Sequence, residues 1–234
     1  MDTLHRVHIQ PWPSEALLRL GVVLVSCFFW FALLISIIGP LYGFIIGIGV
    51  FFAQVAFVAH IRGSGVKLGP QQFPDLYQRV QHLAQRIGLP RCPDVYIMES
   101  GGALNAMAMR FFRARMVILY SDLLDACADD PAARDMIVAH ELGHLHAGHL
   151  NFSWFLFPGR LMPFLGHAYS RACEFTCDRY GMALCGGEGG GDRDGALRGL
   201  AILAAGAKFG PQVNLRAFVE QKQDLDSGWM SIGT

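Results

Sequence analysis

The clearest pattern along the chain is an apolar run near its N-terminus. Residues 20–59 contain no Asp, Glu, Lys or Arg. About 20 helical residues cross a hydrocarbon core of about 30 Å, so the run is long enough to cross twice. Gly39 and Pro40 lie at its middle, and proline interrupts a helix because it lacks the N–H and clashes with the preceding turn. The pattern predicts a transmembrane helical hairpin with helices at residues 17–38 and 41–60. A cleaved signal peptide is disfavoured, since its apolar core is only about 7–15 residues long.

Positive charges indicate how this hairpin is oriented. The run is preceded by Arg6 and Arg19 and followed by Arg62 and Lys67, while the connecting turn carries no positive charge. Cytoplasmic flanks of transmembrane helices carry an excess of Lys and Arg. We therefore expect both ends of the hairpin, and the chain that follows it, on the cytoplasmic side.

The rest of the chain has the pattern of a mostly helical domain with a small sheet. Glycines and prolines in residues 62–75 are typical of a linker. Apolar positions in residues 76–87 recur every three or four residues and predict an amphipathic helix. Short apolar runs between residues 94 and 120 predict a small antiparallel sheet, which makes the fold class α+β. Asp130 followed by proline marks the start of another helix. The predicted units are the hairpin (1–61), the linker (62–75) and the domain (76–234).

Two further segments have irregular patterns. Residues 152–169 are apolar but are broken by Pro158, Gly159, Arg160 and Pro163. We expect a membrane-apposed or re-entrant segment there, with a buried loop as the alternative. Residues 186–195 form a glycine-rich loop without the Gly-Lys-Ser/Thr ending of a phosphate-binding loop, so no nucleotide site is predicted.

Composition and charge exclude several classes of protein. Hydrophobic residues make up 53% of the chain and charged residues 16%, which is more apolar than an average soluble domain. The numbers of acidic and basic residues are equal at 19 each, and without a long basic run nucleic acid is not expected as a partner. The six cysteines form no tight framework, so a reducing compartment is the simpler expectation.

The stretch AHELGHLHAGH concentrates four histidines and one glutamate. Positions four apart lie on one helical face, so His140 and His144 can present two imidazoles to one point. Glu141 lies about 100° round the helix, close enough to hold a metal-bound water. This H-E-x-x-H spacing is a zinc-hydrolase signature in which the glutamate is the general base. By the same arithmetic His146 and His149 lie on other faces, and we expect polar or supporting roles for them.

A catalytic zinc takes three protein ligands and keeps one position for water. The stretch SRACEFTCDRYG supplies Glu174 and Asp178, four residues apart on one predicted helical face. Glu174 is the candidate third ligand, and Asp178 is placed to accept the ring N–H of a ligand histidine. An exposed acidic face is the alternative interpretation. Four apolar positions indicate instead that the helix is largely buried, namely Phe175, Tyr180, Met182 and Leu184. Buried carboxylates need partners.

Together HELGH, SRACEFTCDRYG, the preceding LNAMAM and the N-terminal hairpin resemble the HtpX-like membrane zinc endopeptidases. These belong to the gluzincins, which also contain the prenyl-protein (CAAX) proteases, and the resemblance extends to about Gly181. It implies a zincin-like (gluzincin) protease domain that binds one Zn²⁺ per chain. The roles that it implies are zinc ligation for His140, His144 and Glu174, catalysis for Glu141 and support of a ligand histidine for Asp178.

The resemblance also implies a substrate and a location. ALNAMAM would be the edge strand beside the cleft, where Asn105 and the neighbouring Ala106 and Met107 align an extended peptide as an added strand. The substrates would be peptides of misfolded or damaged membrane proteins, cut for quality control at the lipid bilayer of a bacterial inner membrane, on its cytoplasmic side. Family members continue past a stretch like SGWMSIGT into a histidine-proline segment, whereas no histidine follows His167. We therefore expect a truncated or diverged C-terminus.

Two other classes stay open as alternatives. One is a catalytically inactive, metal-stabilised membrane adaptor. The intact Glu141 disfavours it, but the difference from the family pattern at the C-terminus leaves it open. The other is a di-iron membrane oxygenase, which the single histidine cluster disfavours. A prenyl-protein protease is a less fitting relative because that branch carries more membrane spans. The sequence leaves the oligomeric state open.

Overall fold

A computed structural model of the chain shows two long apolar helices followed by a helical domain with one small sheet. The structure describes residues 6–99, 101–102, 104–112, 114–186, 190–217 and 220.

The two N-terminal helices confirm the predicted pair of apolar helices. Helix α1 spans Glu15–Ile35 and α2 spans Gly39–Ser64, and both are long and apolar enough to cross a membrane. Pro40 lies in the first turn of α2, where its missing N–H costs no helical hydrogen bond. For that reason α2 begins at Gly39, earlier than predicted.

The sheet has four strands in the order β1-β2-β4-β3. Strands β2 and β4 are parallel, whereas the β1–β2 and β3–β4 pairs are antiparallel. The chain leaves β2, forms β3 at the far edge and turns back between them as β4, so the sheet is mixed rather than wholly antiparallel. The strand bounds are Val66–Lys67 for β1, Asp94–Met98 for β2, Ala106–Phe111 for β3 and Ala114–Tyr120 for β4.

Strand β4 is buried on both of its faces. Val117 and Leu119 belong to the main core, while Met116 and Ile118 pack with the C-terminal part of α2. Because side chains alternate between the faces of a strand, this double cover explains why the strand is almost continuously apolar.

Helix α5 lies at the centre of the domain, in contact with α3, α7, α8 and strand β3. Its buried side chains form much of the main core. Helix α8 is interrupted at Gly206, whose φ of 86° is outside helical geometry. The remaining bounds are α3 Pro74–Ile87, α4 Ser121–Ala126, α5 Pro131–Ala147, α6 Ser153–Arg160, α7 Leu165–Leu184, α8 Arg193–Phe209 and a 3₁₀ turn Gly210–Gln212.

The segment predicted as a linker is partly ordered against the domain. It contains the end of α2 and strand β1, and the N–H of Leu68 donates to the Val95 carbonyl at 2.9 Å. The segment 152–169 contains α6 and the start of α7. Within the predicted glycine loop residues 187–189 lie outside the described part of the chain, and so does the C-terminal stretch 227–234.

Candidate metal centre

Helix α5 carries three of the predicted site residues. Its start is defined by Asp130, whose side chain accepts a hydrogen bond from the Ala133 N–H at 3.1 Å, an N-cap that satisfies a free helical donor. One turn separates His140 from His144, and their Nε2 atoms are 3.2 Å apart. Both imidazoles therefore face one point, as the spacing predicts.

Helix α7 approaches α5 closely because glycines lie where the two helices meet. A Cβ atom on Gly181 would lie 2.8 Å from the Met136 carbonyl oxygen, and one on Gly143 would lie 3.1 Å from Cδ2 of Tyr180. A larger residue at either position would have to push the close-packed helices apart. The glycines thereby bring Glu174 within reach of the histidines of α5.

Three side-chain atoms form a nearly equilateral triangle between the two helices. Glu174 Oε2 lies 3.1 Å from His140 Nε2 and 3.5 Å from His144 Nε2, and the two ring nitrogens are 3.2 Å apart. Ligands about 2.0–2.1 Å from a tetrahedral zinc are separated from one another by about 3.3 Å. The triangle therefore fits three ligands of one zinc ion, and these residues could hold it.

The charges around the triangle favour a cation. Burial acts to lower the pKa of His140, but its hydrogen bonds with Asp178 and Glu174 and the charge of Glu141 raise that pKa to about 10. Burial acts to raise the pKa of Glu174, but hydrogen bonds from His140 and His144 and their charges bring it well below its ordinary value. Positive charge is thus stabilised among these carboxylates, which is the electrostatic condition for binding a metal ion.

Asp178 lies one turn beyond Glu174 and contacts the other nitrogen of a ligand candidate. Its Oδ1 is 2.9 Å from His140 Nδ1. When Nδ1 donates to this carboxylate, Nε2 keeps its lone pair for a metal ion and the ring orientation is held. Asp178 therefore lies where the sequence places it.

Glu141 lies beside the edge strand β3. Its Oε2 accepts a hydrogen bond from the Ala108 N–H at 2.6 Å, and the Ala106 N–H donates to Asn105 Oδ1 at 2.9 Å. The Met107 side chain packs instead in the cluster between the sheet and the end of α2. Of the three predicted substrate residues, Asn105 and Ala106 thus face the site, and Met107 can contribute only its backbone.

A cavity of about 350 Å³ lies between the edge strand and two of the predicted metal ligands, His140 and Glu174. Its lining includes Asn105, Ala106, His140, Glu141, Glu174 and Asp178, together with apolar side chains that include Leu200 and Leu203 of α8. A larger cavity of about 590 Å³ lies at the start of α5 and is lined by charged residues such as Arg79 and Asp130. The larger cavity is lined by none of the predicted site residues.

His149 is closer to the site than its place in the sequence suggests. Helix α5 ends at Ala147, and Gly148 with φ of 76° turns the chain back. The ring of His149 consequently lies against His144, with 3.0 Å between their Nδ1 atoms. Burial, together with the charge of His144, lowers the pKa of His149. The position of His149 expected from the helical period is wrong because His149 lies beyond the end of α5. Gly148 marks that end, since a glycine commonly terminates a helix.

Glu15 is a residue near the site that the sequence does not single out. It lies in the first turn of α1, is only 6% exposed, and its Oε1 is 3.2 Å from His149 Nε2. In the sequence it resembles an ordinary acidic residue at a helix start. Its only signal is its position at the entrance of an apolar helix.

Two crossing helices that offer two imidazoles and a carboxylate to one point, with a second carboxylate beside them, define the donor arrangement of a metallopeptidase. The comparison with protein families agrees and is more specific. Residues 70–162 match peptidase family M48. The match covers 93 of the 234 residues and supports the family resemblance seen in the motifs. The matched part includes His140, Glu141 and His144 and ends before α7. Searches of curated proteins and of solved structures found no match.

Proposed function

We propose that this protein is a membrane-anchored zinc endopeptidase. The observation that carries the proposal is the triangle of His140 Nε2, His144 Nε2 and Glu174 Oε2, with side lengths of 3.1, 3.2 and 3.5 Å. Glu141 lies on the same helix and lines the same cavity, where a general base for peptide hydrolysis is needed.

Each residue of the centre has a distinct task in this proposal. Zinc, when bound, lowers the pKa of a coordinated water to around 7 and polarises the scissile carbonyl. Glu141 accepts the proton of the attacking water and returns it to the leaving amine. Asp178 holds His140 in the tautomer that leaves Nε2 free for the metal.

The edge strand supplies the alignment of the substrate. Strand β3 is at the edge of the sheet, and an extended peptide can add to such an edge through main-chain hydrogen bonds. The Ala108 N–H, which now donates to Glu141, would donate to the peptide instead. Binding of substrate would thereby release the Glu141 carboxylate towards the water that it deprotonates.

Contacts between α1 and α6 support a position at the membrane. The Trp30 Nε1–H donates to the Phe155 carbonyl at 2.8 Å, and the Gly159 N–H donates to Ser26 Oγ at 3.0 Å. Trp30 is about 22 Å along α1 from Glu15 at about 1.5 Å per residue, so α6 lies beside the charge-free part of α1. Backbone groups at that depth need protein partners, and α1 provides them.

The exposed side chains of this region extend the apolar surface of the hairpin. On a soluble protein, an exposed apolar patch of this kind marks a site of contact with another protein or with a membrane. Because this patch lies beside two apolar helices, the contact that fits it best is lipid. We therefore place α6 in the bilayer, as the re-entrant interpretation expects. The exposed apolar residues are Phe152, Trp154, Phe157, Leu161, Met162 and Phe164.

A centre built on α5 and on α7, the second of which contacts α6, suits substrates that lie in or near the bilayer. Misfolded or damaged membrane proteins, cleaved for quality control, are the proposed substrate class. The positive charges at both flanks of the hairpin support a cytoplasmic location of the domain, in the proposed case at a bacterial inner membrane.

The decisive experiment is the Glu141→Gln variant of the full chain in detergent. We expect it to bind one zinc ion like the parent and to cleave casein, or itself, at least about 100-fold more slowly, since it lacks the general base. Metal content and cleavage rate are measured on the same preparations. His146→Gln is the matched control, because that exposed histidine is on the same helix but outside the centre, and it should keep both properties.

Three outcomes would contradict the proposal. Cleavage by Glu141→Gln at the parent rate would remove Glu141 as the base. Zinc binding without cleavage by the parent would favour the adaptor. Iron in place of zinc would favour the oxygenase.

A further inference from the structure

Glu15 is a buried carboxylate whose burial the proposed zinc ligands do not explain. It is a carboxylate in the first turn of an apolar helix, 6% exposed, and burial of a charge is costly unless it is paired and hydrogen-bonded. The structure gives it two partners on different elements. Its Oε1 faces His149 Nε2 at 3.2 Å, and its other oxygen, Oε2, accepts a short hydrogen bond from the Thr176 hydroxyl of α7.

These contacts continue on both sides of Glu15. The Trp12 N–H donates to Thr176 Oγ1 at 2.8 Å, which ties the segment before α1 to α7. At the other end His149 Nδ1 lies 3.0 Å from His144 Nδ1. A continuous series of hydrogen bonds thus runs from the start of the membrane hairpin to a predicted metal ligand.

One assignment of protons satisfies every member of this series. If His144 uses Nε2 for a metal, its Nδ1 carries the proton and donates to His149 Nδ1. His149 must then carry its own proton on Nε2, where it donates to Glu15. Glu15 accepts on both oxygens as an ionised carboxylate. In this assignment the tautomer of His144 is fixed by His149, and the tautomer of His149 is fixed by Glu15.

The arrangement parallels the support of the other histidine. His140 is held by Asp178 directly, with 2.9 Å between Nδ1 and Oδ1. The Nδ1 atom of His144 instead reaches a carboxylate, that of Glu15, through the ring of His149. In metal centres such partners orient the ligand and raise its basicity, and their loss costs about 10- to 100-fold in affinity or activity.

We propose that Glu15 and His149 are positioning residues for the zinc ligand His144, so that the first membrane helix completes the metal centre. The inference rests on the zinc site of the proposed function. It assigns to α1 a role beyond anchoring: separation of α1 from the domain would remove the carboxylate that holds the second histidine.

The same buried cluster could be considered a separate metal site, since Glu15, His149 and Cys173 lie close together. One observation disfavours that interpretation. Both oxygens of Glu15 already have partners, since Oε2 is bonded to Thr176 and Oε1 faces His149 Nε2 at 3.2 Å.

The test measures zinc affinity of the full chain in detergent, by competition with a chromophoric chelator. Glu15→Leu removes the acceptor at similar volume and should weaken zinc binding about 10- to 100-fold. Glu15→Gln keeps an oxygen acceptor and should lose less. Asp178→Asn should show a loss comparable to that of Glu15→Leu. The absorption spectrum of bound Co²⁺ should shift in Glu15→Leu, because the ligand geometry changes.

Ser26→Ala is the matched control. Ser26 is also buried in α1 and bonds to Gly159 of α6, but it touches no member of the series. Its zinc affinity and Co²⁺ spectrum should equal those of the parent. Equal losses of zinc affinity in Ser26→Ala and Glu15→Leu would mean that the effect comes from packing of α1, and would overturn the proposal. Unchanged zinc affinity in Glu15→Leu would overturn it as well. Two zinc ions in the parent and one in Glu15→Leu would establish a second metal site instead.

Failure of the zinc centre itself would be recognised separately. Glu174→Ala should abolish zinc binding if the proposed function holds. If Glu174→Ala leaves binding intact, the centre is wrongly assigned; if it abolishes binding while Glu15→Leu does not weaken it, only the positioning role is lost.

Discussion

The two long apolar helices, α1 and α2, are nearly equal in mean hydropathy and differ in which residues they bury. Both bury 11% of their most apolar window. In α1 the buried residues are Glu15, Val22 and Ser26, two of which are polar and hydrogen-bonded to the domain. In α2 they are Gly39 near the turn and Val58 and Ile61, which pack under the sheet.

The difference shows that α1 is part of the folded domain, whereas α2 packs on the domain with its C-terminal end. Helix α1 contacts α6 and α7, and α7 carries Glu174 and Asp178 of the candidate centre. Residues 44–57 of α2 are all exposed within the described chain. Hydropathy reports only that both segments prefer an apolar environment. It does not report which of them also carries specific polar contacts.

Removal of the metal should give the largest difference between α1 and α2 in local stability. Bound zinc stabilises the folded chain by about 4 kcal/mol when its free concentration is about 1,000 times the dissociation constant. We expect a chelator to lower the unfolding temperature and to speed amide exchange in the first turns of α1, while exchange in α2 is unchanged. Hydrogen exchange read by mass spectrometry tests this, and equal loosening of both helices would contradict the contrast.

The next largest effect is expected from a pair of glycine substitutions. A Cβ on Gly159 would lie 2.2 Å from the Val22 carbonyl oxygen, whereas one on Gly47 meets nothing within 4 Å. Gly159→Ala should therefore destabilise the chain by about 1–3 kcal/mol through overpacking, and Gly47→Ala should not destabilise it. Thermal unfolding in detergent measures both, and a Gly159→Ala protein as stable as the parent would mean that α1 does not pack against α6 as described.

The smallest effect comes from a pair of valines. Val22 is 0% exposed, whereas Val50 is 46% exposed. Val22→Ala removes two buried carbon groups at about 0.8 kcal/mol each, so we expect a loss of about 1.5 kcal/mol. Val50→Ala should be close to neutral, because that side chain faces lipid or detergent. Chemical or thermal unfolding compares them, and similar losses at both positions would remove the distinction between the helices.

Several features of the molecule can be predicted from local sequence patterns. The helix with His140, Glu141 and His144 follows from helical spacing and from the Asp-Pro start. The pairing of Glu174 with Asp178 follows from the same period on a second helix. The mixed order of the strands does not follow, because the seven residues between β2 and β3 carry no signal for the edge at which β3 lies.

The sequence by itself determined the two apolar helices and the directions in which the site residues leave their own helices, because these depend on composition and on a period of 3.6 residues. Only the tertiary structure decided the distance between α5 and α7, which glycines at positions 143 and 181 set through close packing. It also decided the contact of Glu15 with His149, because a turn at Gly148 and the docking of α1 join residues far apart in the chain. Distances between elements depend on packing, and packing is not encoded in the pattern of any single element.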